Sequence, residues 1–259
     1  MFTPKTGRIK ALAGKFPYVE ADLETIFGGP TVMYVDYGNV RNWCNKLGWH
    51  VDIVRLKQLV DSFSGPVLSR FYYGTQEGVE ESEERIRCAN NAGYSVWTKP
   101  VKTIKLSIDV RGITFDSPDI IKNFVFPQLL KTFSLEMVAN LNAHLKSLNE
   151  TGVYCFSDLK CNFDVEIGRD MLVDSVVGAE VEGVAEFKTF VLLSCDSDFA
   201  DPVSHLLDNG KKVVVIGVSG MVARELNQLR ADGLQVYDVR KLKEMICWSR
   251  ELSEELRKL

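Results

Sequence analysis

Short apolar runs, each about as long as one strand, recur along the chain and alternate with stretches that favour helix. The run Thr31–Asp36 follows the turn-forming Gly28-Gly29-Pro30 and precedes Gly38-Asn39, which predicts a strand, a turn and then a helix. The later predicted strands are Pro66–Tyr73, Tyr94–Val101, Thr189–Leu193, Lys212–Gly217 and Leu234–Tyr237. Because several of these runs are solidly apolar and helical stretches separate them, the pattern predicts a mostly parallel sheet covered on both faces.

The middle of the chain departs from this alternation. Thr103–Phe115 alternates apolar and polar residues around Arg111-Gly112, which predicts a β-hairpin. Ser117-Pro118 then opens a helical stretch that is interrupted at Pro127 and continues toward Leu148. We therefore predict an N-terminal extension at residues 1–30 and a main domain at 31–238 with an insertion at about 103–150. A charged, amphipathic C-terminal helix is predicted at 239–259.

Composition narrows the classes of protein that remain. The 259 residues are 46% hydrophobic and 25% charged, which is typical of a globular protein. No apolar run reaches the ~20 residues that cross a bilayer, so we expect a cytoplasmic protein without a membrane partner. The six cysteines form no C-x-x-C pair, and the three histidines lie beside no nucleophile motif. The net charge of −4 argues against indiscriminate adhesion to nucleic acid.

Acidic side chains follow two of the predicted strands. Asp36 ends the first strand, while Asp196 and Asp198 follow the strand that ends near Leu193. An aspartate at such a position is often a helix N-cap, and this alternative applies to Asp198 in particular. Since ligands of open parallel sheets bind outside the carboxyl ends of the strands, two acidic clusters at one edge also predict a site. Converging carboxylates repel one another unless a cation lies among them, and Mg²⁺ or Mn²⁺ is the natural choice.

A third acidic element begins a predicted helix at Asp164. At 100° per residue, Asp164 shares a face with Ile167 and Met171, whereas Asp170 lies on another. Because Ile167 and Met171 should face the sheet, Asp164 is the acid best placed to reach the strand-end carboxylates. By the same geometry Asp170 belongs either to the site or to a solvated helix face.

These residues also form a set of motifs that resembles a known family. The motifs are Val35-Asp36-Tyr37-Gly38-Asn39, Lys160-Cys161-Asn162-Phe163-Asp164-Val165 and Ser194-Cys195-Asp196-Ser197-Asp198-Phe199. In their order and their predicted strand and helix context they resemble the NYN domain of the PIN-like nuclease superfamily. More narrowly, they resemble its LabA-like branch.

The resemblance implies a Rossmann-like three-layer α/β/α sandwich of PIN-like type, with the β-hairpin and helices as an insertion. It implies a metal-dependent endoribonuclease, a hydrolase that cleaves RNA phosphodiester bonds with Mg²⁺ or Mn²⁺. The positions it assigns to metal binding and catalysis are Asp36, Asp164, Asp196 and Asp198. Secondary or substrate-positioning roles fall to Asn39, Lys160, Asp170, Ser194 and Ser197.

Several questions about function stay open at this point. Cys161 and Cys195 stand where the motifs carry glycine, which leaves room for a non-catalytic NYN module that binds RNA or acts as a protein-interaction scaffold. The sequence likewise leaves open whether the protein is a monomer or a homodimer and whether its RNA is single-stranded or structured. It also leaves open whether cleavage is endonucleolytic or exonucleolytic and whether RNA is preferred over DNA. Basic residues in and near the insertion are the expected RNA contacts: Lys99, Lys102, Lys105 and Arg111.

Overall fold

The computed structural model describes residues 1–65, 67–113, 119–177 and 186–258. It divides the chain into two compact units. The main unit comprises Met1–Pro100 and Cys161–Leu259, and the inserted unit comprises Val101–Lys160. The predicted insertion at about 103–150 lies within the inserted unit.

The strands are β1 (Thr31–Asp36), β2 (Val67–Thr75), β3 (Ser95–Pro100), β4 (Lys102–Ser107), β5 (Cys155–Lys160), β6 (Thr189–Leu193), β7 (Lys212–Gly217) and β8 (Gln235–Asp238). The α-helices of the described ranges are α1 (Gly7–Lys15), α2 (Pro17–Phe27), α3 (Tyr37–Val40), α4 (Cys44–Leu47), α5 (Ile53–Val60), α6 (Glu80–Asn91), α7 (Asp119–Lys122), α8 (Pro127–Leu130), α9 (Leu135–Glu150), α10 (Asp164–Val177), α11 (Ala200–Asp208), α12 (Arg224–Gln228), α13 (Lys243–Ile246) and α14 (Glu254–Arg257). Single turns of 3-10 helix lie at Arg41–Trp43, Ser197–Phe199, Leu229–Asp232, Val239–Leu242 and Ser249–Glu251.

The main unit is built on a six-stranded sheet in the order β3-β2-β1-β6-β7-β8. Every described neighbouring pair in this sheet is parallel. β1 and β6 lie side by side at the centre of the sheet. β2 and β3 follow on the β1 side, and β7 and β8 follow on the β6 side. The strand order therefore reverses between β1 and β6, which is where open α/β sheets form a crevice at their carboxyl ends. This arrangement confirms the predicted α/β sandwich.

Both faces of the sheet are covered because alternate side chains of each strand point to opposite sides. On β2, Tyr72 lies toward α10, whereas the ring of Phe71 packs against Tyr94 at 5.5 Å. The central strands β1 and β6 are buried along their full lengths. Their apolar runs are thus those of a sheet enclosed by helices.

Two buried acids of α10 anchor this helix to the sheet. Asp174 accepts two hydrogen bonds from the Arg70 guanidinium, at 3.0 and 2.7 Å, and one from the Tyr34 hydroxyl at 2.6 Å. Asp170 accepts a hydrogen bond of 2.7 Å from the Tyr72 hydroxyl. Asp170 is only 6% exposed, so the interpretation of this acid as part of a solvated helix face is wrong. Paired in this way, the two carboxylates fix α10 against β1 and β2.

The N-terminal residues belong to the core of the main unit. Leu12 of α1 and Leu23 and Phe27 of α2 are almost fully buried in the same apolar cluster as the sheet. An antiparallel bridge joins Phe2 to Phe63. The segment predicted as an N-terminal extension therefore packs as part of the main unit.

The prediction of one helix over 239–259 is wrong for the described residues. After α13 the backbone is extended at Cys247, which forms an antiparallel bridge with Val51. Trp248 then donates its N–H to the carbonyl of His50 at 3.2 Å. A new helix, α14, begins only after Ser253, whose hydroxyl accepts from the Leu256 N–H. Pairing with a distant segment thus overrides the local helical pattern.

The described residues of the predicted hairpin at 103–115 do not form it. In the inserted unit β4 pairs with β5, which lies beyond α9 in the chain, in an antiparallel ladder that joins Lys102 to Lys160 and Ser107 to Cys155. Asn149 of α9 stabilises the unit by accepting from the Val110 N–H and donating to the Ile108 carbonyl. Residues 114–118, which include part of the predicted hairpin and helix start, lie outside the described residues.

None of the described helices has the length and apolar character needed to cross a membrane.

We expect Asp174→Ala to lower the free energy of unfolding by about 3 kcal/mol, because the change leaves the Arg70 charge without its partner in a largely buried setting. Urea denaturation monitored by circular dichroism measures this loss. The exposed Asp208→Asn is the control and should change stability by less than about 0.5 kcal/mol. Equal stabilities of the two variants would contradict the anchoring role.

Candidate active site

The turns that follow β1 and β6 place three aspartates at the point where the strand order reverses. Asp36 caps α3, and its side chain accepts from the Asn39 N–H at 3.3 Å. Asp196 caps the 3-10 helix Ser197–Phe199, and its side chain accepts from the Asp198 N–H at 3.2 Å. The cap position thus belongs to Asp196 and not to Asp198, which lies inside that 3-10 turn. The N-cap geometry fixes where the carboxylates of Asp36 and Asp196 point.

A short chain of hydrogen bonds ties these two turns together. The Asn39 side-chain oxygen accepts from the Cys195 N–H at 3.1 Å and from the Trp43 indole at 2.8 Å. The buried Ser194 hydroxyl donates to Asp36 at 3.1 Å. Because the bonds connect the end of β1 to the end of β6, the strand-end acids are held in a fixed relation.

Asp164 joins this group as the first residue of α10. The pKa of Asp164 is raised to about 7, first by burial and then by the nearby negative charges of Asp36, Asp196 and Asp198. A hydrogen bond between the Asp164 and Asp198 side chains contributes in the same direction. The four acids therefore share one electrostatic environment, and we call them the acid cluster.

Asp36 is the most deeply placed member of the acid cluster. It is 8% exposed, and burial raises its pKa to about 6 even though hydrogen bonds from Asn39 and Ser194 favour its charged form. The charge of Asp196 adds to the rise. Gly38 leaves space beside this carboxylate, since a Cβ there would stand 3.4 Å from its Oδ1 atom.

Three basic side chains on β2, β3 and α10 pair with acids outside the acid cluster. Lys99 pairs with Glu166 at 2.5 Å and lies over the Phe163 ring at 4.5 Å. Arg70 and Arg169 pair with the anchoring acids of α10. No ion pair with a described residue neutralises a carboxylate of the acid cluster.

The donor chemistry of the acid cluster fits a hard divalent cation. Carboxylate oxygens are the ligands that Mg²⁺ and Mn²⁺ prefer, and neighbouring aspartates contribute, after burial, to the raised pKa values of Asp36 and Asp164. Among the described residues, no group of three or more Asp, Glu, His or Cys side chains is arranged so that all of them could hold one metal ion. The arrangement suits an ion that keeps several waters and takes only one or two carboxylates directly, as Mg²⁺ commonly does.

A cleft of about 490 Å³ opens beside Asp164 and Asp198, between α10 and α11. Its walls carry both apolar and polar side chains, including Leu172, Pro202 and His205. The cleft gives the acid cluster an open approach from the side of these two helices.

The other residues singled out in the sequence are placed differently. Asp170 belongs to the anchor on β2 and is removed from the acid cluster by two turns of α10. Lys102, Lys105, Arg111 and Lys160 lie in the inserted unit, where Arg111 pairs with Asp109 at 2.7 Å. Ser194 orients a carboxylate, as expected, and Ser197 begins the 3-10 turn.

Cys195 occupies its motif position without filling the site. Its sulfur accepts from the Val218 N–H at 3.4 Å, and the residue is 6% exposed. A Cβ on Gly217 would stand 2.9 Å from this sulfur, so Gly217 provides the space that the cysteine needs. Burial also raises the pKa of the Cys195 thiol, which keeps it protonated and poorly nucleophilic.

Sequence reasoning missed two residues that shape the site. Trp43 holds the side chain of Asn39, and a signal was present because the two residues are four apart, as helical neighbours are. Gly217 makes space for Cys195, but no local pattern links positions 22 residues apart in the chain.

Comparison with known proteins supports a relation to the PIN-like nuclease superfamily. Residues 142–236 match the family model of the NYN domain. This span includes Asp164, Asp196 and Asp198, while Asp36 precedes it. No curated protein matches the chain.

The chain also matches a solved structure, that of a protein of unknown function from Vibrio parahaemolyticus. The two are 15% identical with a TM-score of 0.49, and the match covers 82% of this chain and 94% of the other.

We expect Asp164→Asn to stabilise the metal-free protein increasingly as pH rises. The folded state holds the Asp164 proton up to about pH 7, whereas the unfolded chain loses it near its ordinary pKa of 3.8. Stability therefore falls as pH rises through this window, and the penalty is complete above it. Thermal melts in EDTA at pH 4, 6 and 8 should show no gain at pH 4 and the largest at pH 8. A gain that is independent of pH, or equal to that of the exposed Asp232→Asn, would contradict the shift.

We expect Gly217→Ala to destabilise the protein by about 1–3 kcal/mol, because its Cβ overlaps the Cys195 sulfur and Val222. In a Cys195→Ala background the same change should cost measurably less. A double-mutant cycle by urea denaturation gives the coupling. Additive effects would show that the two residues do not share this space.

Proposed function

We propose that the protein is a metal-dependent ribonuclease that hydrolyses RNA phosphodiester bonds at the acid cluster. The observation that carries the proposal is the convergence of Asp36, Asp164, Asp196 and Asp198 at the strand-order reversal, with two carboxyl pKa values raised. The NYN match over residues 142–236 supports the same reaction class. The motifs add the narrower proposal that the chain falls in the LabA-like branch.

In this proposal the four aspartates hold Mg²⁺ or Mn²⁺, directly or through waters. When bound, the ion supplies Lewis acidity toward the phosphoryl oxygen and lowers the pKa of a water. Asp36 and Asp196 are fixed by their cap geometry, and Ser194 holds Asp36 in one orientation. Asp164, the first residue of α10, would accept a proton from the attacking water where its carboxylate does not itself bind the ion.

The inserted unit is proposed as an additional contact surface for RNA. On its two-stranded sheet Lys102 and Lys160 face each other across the ladder, and both are exposed. Like charges in such a pair repel one another, so a phosphate between them would relieve the repulsion.

Cys195, which replaces a motif glycine, is compatible with activity in this proposal. Its side chain is turned toward Gly217 and therefore does not obstruct the acid cluster.

We expect wild-type protein to cleave labelled RNA with Mg²⁺ or Mn²⁺ and not with EDTA. Asp196→Asn and Asp36→Asn should each lower the rate about a hundredfold or more while folding normally, a loss on the scale of removing one electrostatic stabiliser from an active site. The control is Asp232→Asn, which changes an exposed acid to the same amide.

The substrate panel contains single-stranded RNA, a hairpin RNA and single-stranded DNA, so that the assay also reports substrate class. Cleavage that survives in folded Asp196→Asn would contradict the proposed site. RNA binding without cleavage by any variant would favour the non-catalytic NYN module instead.

A further inference from the structure

A second cavity lies at the same edge of the sheet, on the β2 side of the acid cluster. It has a volume of about 210 Å³, and its walls include Tyr37, Arg41, Tyr73, Arg85 and Trp248. We call it the Arg41 pocket. All of these residues belong to the main unit.

Position links the Arg41 pocket to the acid cluster. Tyr37 directly follows Asp36 and begins α3. Arg41 begins the 3-10 turn after α3, five residues beyond Asp36, or roughly 7 Å of helical rise. Tyr73 lies near the carboxyl end of β2, the strand next to β1. Tyr37 therefore belongs both to the wall of the pocket and to the helix that Asp36 caps.

Aromatic rings form one wall of the Arg41 pocket. Tyr37 and Tyr73 meet edge to face, with ring centroids 5.2 Å apart and an interplanar angle of 75°. Arg85 steadies the buried Tyr37 by donating to its hydroxyl at 2.8 Å, and the charge of Arg85 is matched by Glu81. Tyr73 remains partly exposed. Its ring thus offers a preformed surface of the kind on which bases stack.

Arg41 supplies the positive charge of the Arg41 pocket. The Arg41 side chain is exposed, and its Nη1 atom donates to the Tyr73 hydroxyl at 3.2 Å. Across the described ranges of the chain, no carboxylate lies within ion-pair distance of its guanidinium. A guanidinium that donates one hydrogen bond to a tyrosine hydroxyl, and has further N–H groups to donate, is suited to a phosphate.

We propose that the Arg41 pocket binds one nucleotide of a single-stranded nucleic acid, with its phosphate on Arg41 and its base against Tyr73. The inference rests on the proposed function, for which it names a substrate feature. The pocket is smaller than the 300–1,000 Å³ that is usual for ligand sites, which suits a single base. Only a base freed from pairing can reach such a wall, so the pocket selects single strands over duplexes.

The test is equilibrium binding in the Asp196→Asn background with EDTA, which separates binding from cleavage. The probe is a fluorescent 12-nucleotide RNA without secondary structure, followed by anisotropy. Arg41→Ala should weaken binding on the order of tenfold and reduce the dependence of log K on log salt by about one. Arg41→Lys should recover part of the loss. The matched control is Lys46→Ala, which removes an exposed cation of α4 outside the pocket and should leave binding within about twofold.

Two further arms test the base and the sugar. Tyr73→Phe should bind nearly as wild type, whereas Tyr73→Leu should weaken binding severalfold, because only the second change removes the aromatic ring. On an abasic strand of equal length this difference should vanish while the Arg41 dependence persists. A DNA strand of the same sequence distinguishes recognition of phosphate and base alone from recognition that also requires ribose.

The outcomes separate this inference from the proposed nuclease. Cleavage by wild type together with equal binding by folded Arg41→Ala and Lys46→Ala would overturn the pocket and leave the nuclease intact. Arg41-dependent binding without cleavage would support the pocket and overturn the nuclease. Absence of nucleic-acid binding by the parent Asp196→Asn protein would overturn the pocket as well, and thermal melts of each variant confirm that it is folded.

Discussion

The parallel pairing of β1 with β6 is the contact on which the candidate site depends. The sheet extends from β1 to β2 and β3 on one side and from β6 to β7 and β8 on the other, so the strand order reverses between β1 and β6. At that edge the Asn39 side-chain oxygen accepts a hydrogen bond from the Cys195 N–H, which ties the turn after β1 to the turn after β6. The acids that follow the two strands consequently meet in an open crevice, where mutual repulsion is tolerated because solvent and cations can enter.

The acids of helix α10 have two different roles, and the difference comes from the groups that surround each carboxylate. Asp170 and Asp174 are buried, but hydroxyl and guanidinium donors from β1 and β2 stabilise their charge. Asp164, at the start of the same helix, faces other carboxylates, and its pKa rises. The first two fix the helix to the sheet, and that fixation sets where Asp164 stands. Structural and chemical roles are thus divided along one helix by position.

The site also shows how a departure from a motif can be accommodated at a distance. Cys195 directs its sulfur toward β7, where Gly217 has no side chain to oppose it. The backbone of Cys195 still donates to Asn39, so the link between the turns is kept. The acid cluster therefore keeps its place at the reversal point of the Rossmann-like sheet, and three of its four aspartates lie within the NYN match over residues 142–236. On the β2 side of that cluster the Arg41 pocket extends the same edge.

The local pattern predicted β1, β6 and β7 with their observed bounds, because buried parallel strands are continuous apolar runs that need no distant partner to be recognised. It also predicted which acids end those strands. The pairing of β4 with β5, the break at Cys247 and the burial of Asp170 could not be predicted in this way. Each depends on a hydrogen-bonding partner dozens to hundreds of residues away. Sequence periodicity reports which face of an element is apolar, but only the tertiary structure decides which polar group finds a buried partner and which remains free for chemistry.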